Sequence, residues 1–528
     1  MRYHSAVATY HVENFGCRAT QADGAALARQ FEARGLAAAP SAQADLVILN
    51  TCTVTNSADQ DARAAIRRVQ RQNPLAKIIV TGCYAQRAPQ EIAALPGVTC
   101  VIGNSHKHQL AEIVLPIVSD LAASSAAEEI GFVPLPSLAA EARSLKPEAR
   151  LFVSDIFAHT ELLAAPVFEG SSDATGSPEN NRTRPNLKVQ DGCDNRCSFC
   201  VIPSVRGHSR SLPLPQIIRE VRALVAAGYR EVVISGINLG RWGRDLAWGG
   251  RPRPPKLTRN NASQHFEDLI RAILSETGLE KLRISSVEPM DWTDDLIALV
   301  ATSPRIAKHA HVPLQSGSDA VLRRMHRKYR PWHYREKIEK IRAAMPDAAI
   351  GADVMAGFPG ETDAEFESTR RLIEDLPFTY LHVFTYSARP GTPAAAMPDQ
   401  VPVQVARERN KILRDLAAEK RLAFMQSFIG KPLDAITLSV INSGPDGEFT
   451  EALTHNYQKL YLKGRHEPNR WITAHIEGAE DGVLLGSVTQ ICSASSGSGS
   501  RMGASGFSGG FGGSWIGGGD GSEGARRR

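Results

Sequence analysis

Apolar positions fall into two tracts of alternating strand-like and helix-like pattern, then a short β-like tract. Asp45–Asn50 and Lys77–Gly82 are short apolar runs of the kind that buried parallel strands carry. Ser57–Gln72, between them, is Ala- and Arg-rich and predicts a helix. Ala25–Gly35 predicts another, ending on a glycine suited to the helix C-terminus. With a further strand at Val98–Ile102, the first hundred residues predict an α/β unit on a parallel sheet. The alternation resumes from Pro185 to Ser427. Strands are predicted at Leu187–Gln190, Glu231–Ser235, Leu282–Ser286, His309–Pro313, Ile350–Met355 and Leu381–Thr385. Helices are predicted between them, for example at Pro215–Ala227, Phe266–Thr277 and Ala364–Asp375. Six such units predict a partial (β/α)6 barrel, short of the usual eight. Helical periodicity stops near Gly430. Leu433–Val440, Trp471–Ile476 and Gly482–Ser487 then predict a small antiparallel β-barrel.

The expected division is therefore an N-terminal α/β domain over 1–118, a linker over 119–184, a barrel over 185–427 and a β-barrel over 428–492. Within the linker a short ordered piece is expected near Leu151–Phe157. The last stretch, 493–528, has 13 Gly and 9 Ser and is expected to be disordered. A length of 528 residues fits about three domains. With 42% hydrophobic and 22% charged residues, pervasive disorder and a collagen-like fibre are excluded. No apolar run reaches the ~18 residues of a membrane span, and Met1–Asn14 lacks the apolar core of a signal peptide. A cytoplasmic protein without a membrane partner is expected.

The net charge of +5 is modest, but the cations cluster. Nine Lys/Arg lie between Arg323 and Arg342, against Glu336 and Glu339. A second group comprises Arg407, Arg409, Lys411, Arg414, Lys420 and Arg421. In the C-terminal tract Asp/Glu outnumber Lys/Arg by eight to five, yet Lys459, Lys463, Arg465 and Arg470 gather near Tyr457, Tyr461 and Trp471. Phosphate contacts with base stacking would use such a set, and ordinary solvated faces are the alternative.

Eight cysteines in a chain expected to stay in a reducing compartment point to metal or redox chemistry rather than disulfides. Cys193, Cys197 and Cys200 form C-x3-C-x2-C just after the first barrel strand. Zinc would require four ligands, and His208 is the nearest candidate for the fourth. Three thiolates on a four-iron cluster would leave one iron open to a small molecule. Cys17, Cys52 and Cys83 each follow a predicted strand of the N-terminal sheet. The carboxyl ends of parallel strands converge on one crevice. Cys100 lies within a strand and Cys492 at the start of the Gly/Ser tract, and both read as structural or incidental.

The C-x3-C-x2-C motif resembles the signature of the radical S-adenosylmethionine (SAM) superfamily. With three upstream cysteines and a C-terminal β-domain similar to the TRAM module, the chain resembles the methylthiotransferases over about residues 5–490. Asn50-Thr51-Cys52-Thr53-Val54-Thr55 and Ser285-Ser286-Val287-Glu288-Pro289 favour the tRNA threonylcarbamoyladenosine branch over the isopentenyladenosine and ribosomal-protein branches. The strings His311-Val312-Pro313-Leu314-Gln315-Ser316-Gly317-Ser318, Leu381–Ser387 and Arg389-Pro390-Gly391-Thr392 favour it too. Thr20 departs from that pattern, where Asn is expected.

The resemblance implies two 4Fe-4S clusters, one on Cys193, Cys197 and Cys200 and one on Cys17, Cys52 and Cys83. The first would bind SAM and cleave it to a 5′-deoxyadenosyl radical. The second would supply sulfur, and a second SAM the methyl group. The reaction implied is methylthiolation of adenine C2 at tRNA position 37. That C2–H bond is not acidic enough for a side-chain base, so no side chain is expected as catalytic acid or base and cofactors carry the hard step. Gly357, Gly360 and Glu361 are implied SAM contacts. Ser285, Glu288 and Gln315, at strand ends, are expected to line the SAM or substrate site, with Asn238 a weaker candidate. Expected partners are the tRNA anticodon stem-loop, a reductant protein and an unidentified sulfur donor. A non-enzymatic, metal-stabilised RNA-binding protein is the alternative class.

Overall fold

Short apolar runs bounded by turn residues build the N-terminal sheet. The computed structural model describes residues 8–116, 149–159, 161–163, 165, 167–168, 183–246, 264–444 and 447–491. Six parallel strands are ordered β2-β1-β3-β4-β5-β6. They are β1 Thr9–Asn14, β2 Ala37–Ala38, β3 Leu46–Thr51, β4 Lys77–Gly82, β5 Val98–Gly103 and β6 Arg150–Phe152. Every residue of β3 is buried, as expected for a central strand covered on both faces. Helices Arg18–Glu32 and Asn56–Gln72 flank it, the second capped by Thr55, whose hydroxyl accepts from Ala58 N at 3.2 Å. The first helix begins at Arg18, a turn and more before the predicted start, directly after Cys17.

Two pieces of the stretch expected to be a linker belong to sheets. Arg150–Phe152 pairs with β5, and Val167–Phe168 (β7) pairs antiparallel with β8, Pro185–Asp191. At two and three residues these pieces are too short for a periodicity to show. The Gly/Ser tract from Ser493 and Cys492 lie outside the described residues.

Six parallel strands form the open barrel. They are β8, β10 (Glu231–Gly236), β11 (Lys281–Ile284), β12 (His309–His311), β13 (Ala349–Ala356) and β14 (Tyr380–Thr385), with β9 (Arg210–Ser211) a short antiparallel partner of β8. Parallel bridges Leu282↔Ile306 and Ser286↔His311 carry the sheet from β11 to β12. The strands alternate strictly. Leu187 and Val189, Ala310, Ile350, Ala352 and Val354 join the apolar layer beneath the helices, where Trp242 and Trp292 are fully buried. Asn186, Lys188 and Gln190, His309 and His311 occupy the opposite face.

The C-terminal strands Pro432–Gly444, Gly447–Thr454, Lys459–Lys463, Trp471–Glu480 and Val483–Ile491 close a five-stranded barrel. One of its pairings, Leu460–Leu462 with Leu484–Gly486, is parallel, so the barrel is mixed rather than wholly antiparallel. The helix Val403–Gln426 joins it to the open barrel. Among the described residues no helix is long and apolar enough to cross a membrane.

Candidate active site

The registers Asn14↔Asn50 and Thr51↔Gly82 put Cys17, Cys52 and Cys83 at the ends of three adjacent strands. Gly16 packs directly on Cys52, since a Cβ there would lie 2.7 Å from its Sγ. A hydrogen bond shared with Cys52 draws the Cys17 thiol well below its ordinary pKa and raises that of Cys52. The Thr20 hydroxyl lies 3.5 Å from Cys17 Sγ, and Asn104 Nδ2 donates to Cys83 Sγ at 3.6 Å.

Beneath this trio lies a buried ion network. Lys107, Lys188, Arg206 and Arg210 face Asp23 and Asp191, all at most 5% exposed. Arg206 grips Asp191 with one nitrogen at 2.9 and 3.0 Å and reaches Asp23 at 3.1 Å. Lys107 donates to Asp23 at 3.0 Å, and Lys188 bonds both carboxylates. Burial alone would raise Asp23, but Lys107, Lys188 and Arg206 outweigh it and hold the carboxyl at about 2. Four cations against two carboxylates leave positive charge under the thiols, and Arg206 interacts electrostatically with Cys83 and Cys17. Thiolates and an anionic cluster are stabilised by such a floor.

The second trio sits on the loop after β8. Asn195 N and Asn238 Nδ2 donate to Cys193 Sγ at 3.4 and 3.5 Å, and Arg327 Nη1 to Cys197 Sγ at 3.3 Å. Burial raises the Cys193 thiol and pushes that of Cys200 up to about 12. Ser198 anchors the loop through Arg324 O at 2.7 Å and Met325 O at 3.1 Å. His208 is engaged by Asp194 at 2.7 Å. Among the described residues no three His, Cys, Asp or Glu side chains are grouped to hold one metal ion. A four-iron cube asks for something else, because its three thiolates bind three different irons. Each trio also meets N–H or O–H donors aimed at sulfur, the environment that tunes iron–sulfur clusters.

Residues of β12, β13 and β14 line the lumen of the open barrel. His311, on β12, meets Asp353 of β13 at 3.4 Å, and its ring is 5.5 Å from His382 of β14. Tyr380 OH bonds His309 Nε2 at 2.7 Å, and Tyr457 from the C-terminal barrel closes the floor 4.5 Å from His309. Burial works against the Asp353 carboxylate, but its hydrogen bond with His311 lowers its pKa, with Arg327 adding to the effect. Arg18, next to Cys17, acts electrostatically on His309, Tyr380 and His382. The lumen groups thus feel the charge of an arginine beside each trio.

Of the other expected residues, Glu288 is ion-paired with Arg327 and so adjoins Cys197. Ser285, whose N donates to Ile234 O at 3.1 Å, is at the end of β11. Gln315 has φ +65°, is bonded to β13 through Asp353 O at 2.8 Å, and leaves its buried Oε1 without a partner among the described residues. Glu361 faces elsewhere: its carboxylate takes Gly357 N at 2.8 Å and Arg409 at 2.9 Å. Gly360 N donates to Asp399 O at 2.8 Å. Gly357 needs to be glycine, having φ +77° and a Cβ position 2.5 Å from Ala406 Cβ. Gly357→Val is expected to cost about 2–5 kcal/mol in urea denaturation. Wild-type stability would show that the turn has slack.

Both expected basic surfaces carry paired charges. Arg324 is bound by Glu365, Arg335 by Asp375, Lys340 by Asp294 and Glu336, and Arg323 and Arg330 by Asp319. On the C-terminal barrel Lys459 pairs with Glu451, Lys463 with Glu477 and Arg470 with Glu467.

Residues 9–103 match the uncharacterized protein family UPF0004, and residues 187–373 the radical SAM superfamily. The threonylcarbamoyladenosine tRNA methylthiotransferase MtaB of Bacillus subtilis (strain 168) is 33% identical over 463 residues, 87% of this chain and 92% of that one. MtaB of Rickettsia prowazekii (strain Madrid E) is 36% identical over 80% of this chain and 86% of its own. A tRNA-2-methylthio-N(6)-dimethylallyladenosine synthase from Novosphingobium aromaticivorans is 35% identical over 81% and 86%. With its UPF0004 and radical SAM regions in this order and relatives of that identity matched nearly end to end, the chain belongs to the radical SAM tRNA methylthiotransferase family.

Proposed function

We propose that the protein is a cytoplasmic enzyme that methylthiolates C2 of N6-threonylcarbamoyladenosine at position 37 of tRNA, next to the anticodon. Cys193, Cys197 and Cys200 would hold one 4Fe-4S cluster and the SAM bound to it, and Cys17, Cys52 and Cys83 the other. When bound, these groups supply the radical chemistry that opens the C2–H bond and the sulfur and methyl that replace the hydrogen. The chain's own residues hold, orient and screen. Arg327 presents an N–H to Cys197 while Glu288 fixes its guanidinium. Asn238 and Asn195 do the same for Cys193. A reductant protein and a sulfur donor would serve the two trios.

The observation that carries the substrate choice is the polar lumen. A threonylcarbamoyl group brings a carboxylate, a hydroxyl and urea N–H groups, which His311, His382, Tyr380 and Arg18 can partner. A dimethylallyl group brings no hydrogen-bonding group to meet them. His382→Leu is therefore expected to lower kcat/KM on a threonylcarbamoyl hairpin by about 10-fold or more. An unchanged kcat/KM would remove His382 from substrate recognition. Nucleoside analysis of tRNA from a deletion strain tests the substrate. Loss of the 2-methylthio-threonylcarbamoyl product is expected, and loss of the isopentenyl product instead would overturn the choice.

A further inference from the structure

We infer that the groove along the helix Val403–Gln426, which carries the second basic group of the sequence, takes the phosphate backbone of the substrate RNA in place of the Arg323–Arg342 helix and the C-terminal barrel. This deepens the tRNA reading above and rests on it. The groove has a volume of about 820 Å³ and runs between Thr55–Ser57 of the N-terminal domain, β14 and the helix residues Arg407, Lys411 and Arg414. A second cavity of about 440 Å³ continues from the same Arg414 past Arg421 to the turn Asp481–Gly482 of the C-terminal barrel. Positions 407, 411, 414 and 421 recur at helical spacing, so the cations line one face over about 21 Å.

Charge accounting separates this face from the others. Most cations of the expected surfaces are tied up in the ion pairs given above, although the exposed Lys328 and Arg465 have none among the described residues. Here Lys411 pairs with Asp415 at 2.6 Å and Arg421 donates to Gly482 O at 2.7 Å. Arg407 and Arg414 are exposed, and among the described residues neither has an ion pair. An exposed guanidinium without a carboxylate is the group that releases counterions when a phosphate arrives. The groove is also continuous with the reaction site. Phe384, 38% exposed, lines it and lies two residues along β14 from His382 in the lumen. A backbone held on the helix would bring an unpaired base across Phe384, a surface for stacking, to the lumen mouth.

The test is fluorescence anisotropy of the full-length protein with a labelled synthetic anticodon stem-loop across a salt series. Arg407→Glu/Arg414→Glu is expected to weaken binding at least about 10-fold and to lower the salt slope by about 1.4–1.8, the value for two lost phosphate contacts. Arg407→Gln/Arg414→Gln should show the same slope change with a smaller loss, guarding against a folding defect in the charge reversal. Arg335→Glu/Lys463→Glu, one change on each expected surface, should alter binding by less than about twofold. Wild-type affinity in both groove variants would overturn the groove while the tRNA reading stood, as would a large loss confined to Arg335→Glu/Lys463→Glu. Failure of wild type to bind the stem-loop would overturn the tRNA reading, and the groove with it.

Discussion

Cys197→Ala is expected to abolish cleavage of SAM to 5′-deoxyadenosine, whereas Cys52→Ala keeps most of that cleavage and loses sulfur insertion. The contrast follows from the two environments. Cys197 lies in the barrel, bonded by the Arg327 that Glu288 fixes, at the loop where a SAM-binding iron would sit. Cys52 is on the N-terminal sheet, buried against Gly16 and linked to Cys17. Each variant should lose about four irons per chain after anaerobic reconstitution, the content of one cluster. Chromatography of 5′-deoxyadenosine and of the tRNA nucleosides reads the two steps separately. Equal SAM cleavage by Cys197→Ala and wild type would sink the division of roles.

Arg206→Leu should cost about 3–5 kcal/mol, because it strips a partner from two carboxylates that have no water to fall back on. Asp23 and Asp191 are 2% and 5% exposed, and Arg206 bonds both. The sign with pH is fixed by Asp23, whose folded pKa is depressed to about 2. Its stabilisation is complete above the unfolded value near 4 and is lost as pH falls towards about 2. In Arg206→Leu the depression shrinks, so acid unfolding moves to higher pH. Urea denaturation of the apoprotein at pH 7 and in the acid range measures both effects. A change below about 1 kcal/mol at pH 7 would show that the network tolerates a missing cation.

Strands were legible where an apolar run met a polar boundary. Lys77–Gly82 is predicted and observed to the residue. β12 stops at His311, short of the predicted Pro313, whose missing N–H cannot serve a ladder. Gly447–Thr454 does not alternate cleanly, since polar Thr450 and Thr454 sit at buried positions, and Lys459–Lys463 alternates but is only five residues long. The spacing of Cys193, Cys197 and Cys200 is visible in the sequence, whereas Cys17, Cys52 and Cys83 meet only through the ends of their strands. The network around them could not be read from the sequence, since Arg206 and Asp23 are 183 residues apart and Arg389 and Asp59 are 330 apart. The lumen did leave a trace. Polar residues alternate with apolar ones in β8 and β12, strands of a sheet type that is usually apolar throughout, and that pattern marks an inward face with work to do. The pairing of the basic helix was hidden because its acidic partners, Asp294, Glu365 and Asp375, come from other elements.

Arg389, from the loop after β14, is 1% exposed and bonds Thr53 at 2.7 Å and also Asp59, just beyond Cys52. Lys188 and Arg206 reach Asp23 on the other flank, near Cys17. The N-terminal sheet is thus riveted to the barrel at two separate points. Both contacts are buried ion pairs, so separating the sheet from the barrel would strip buried charges of their partners at either point, at about 3–5 kcal/mol each.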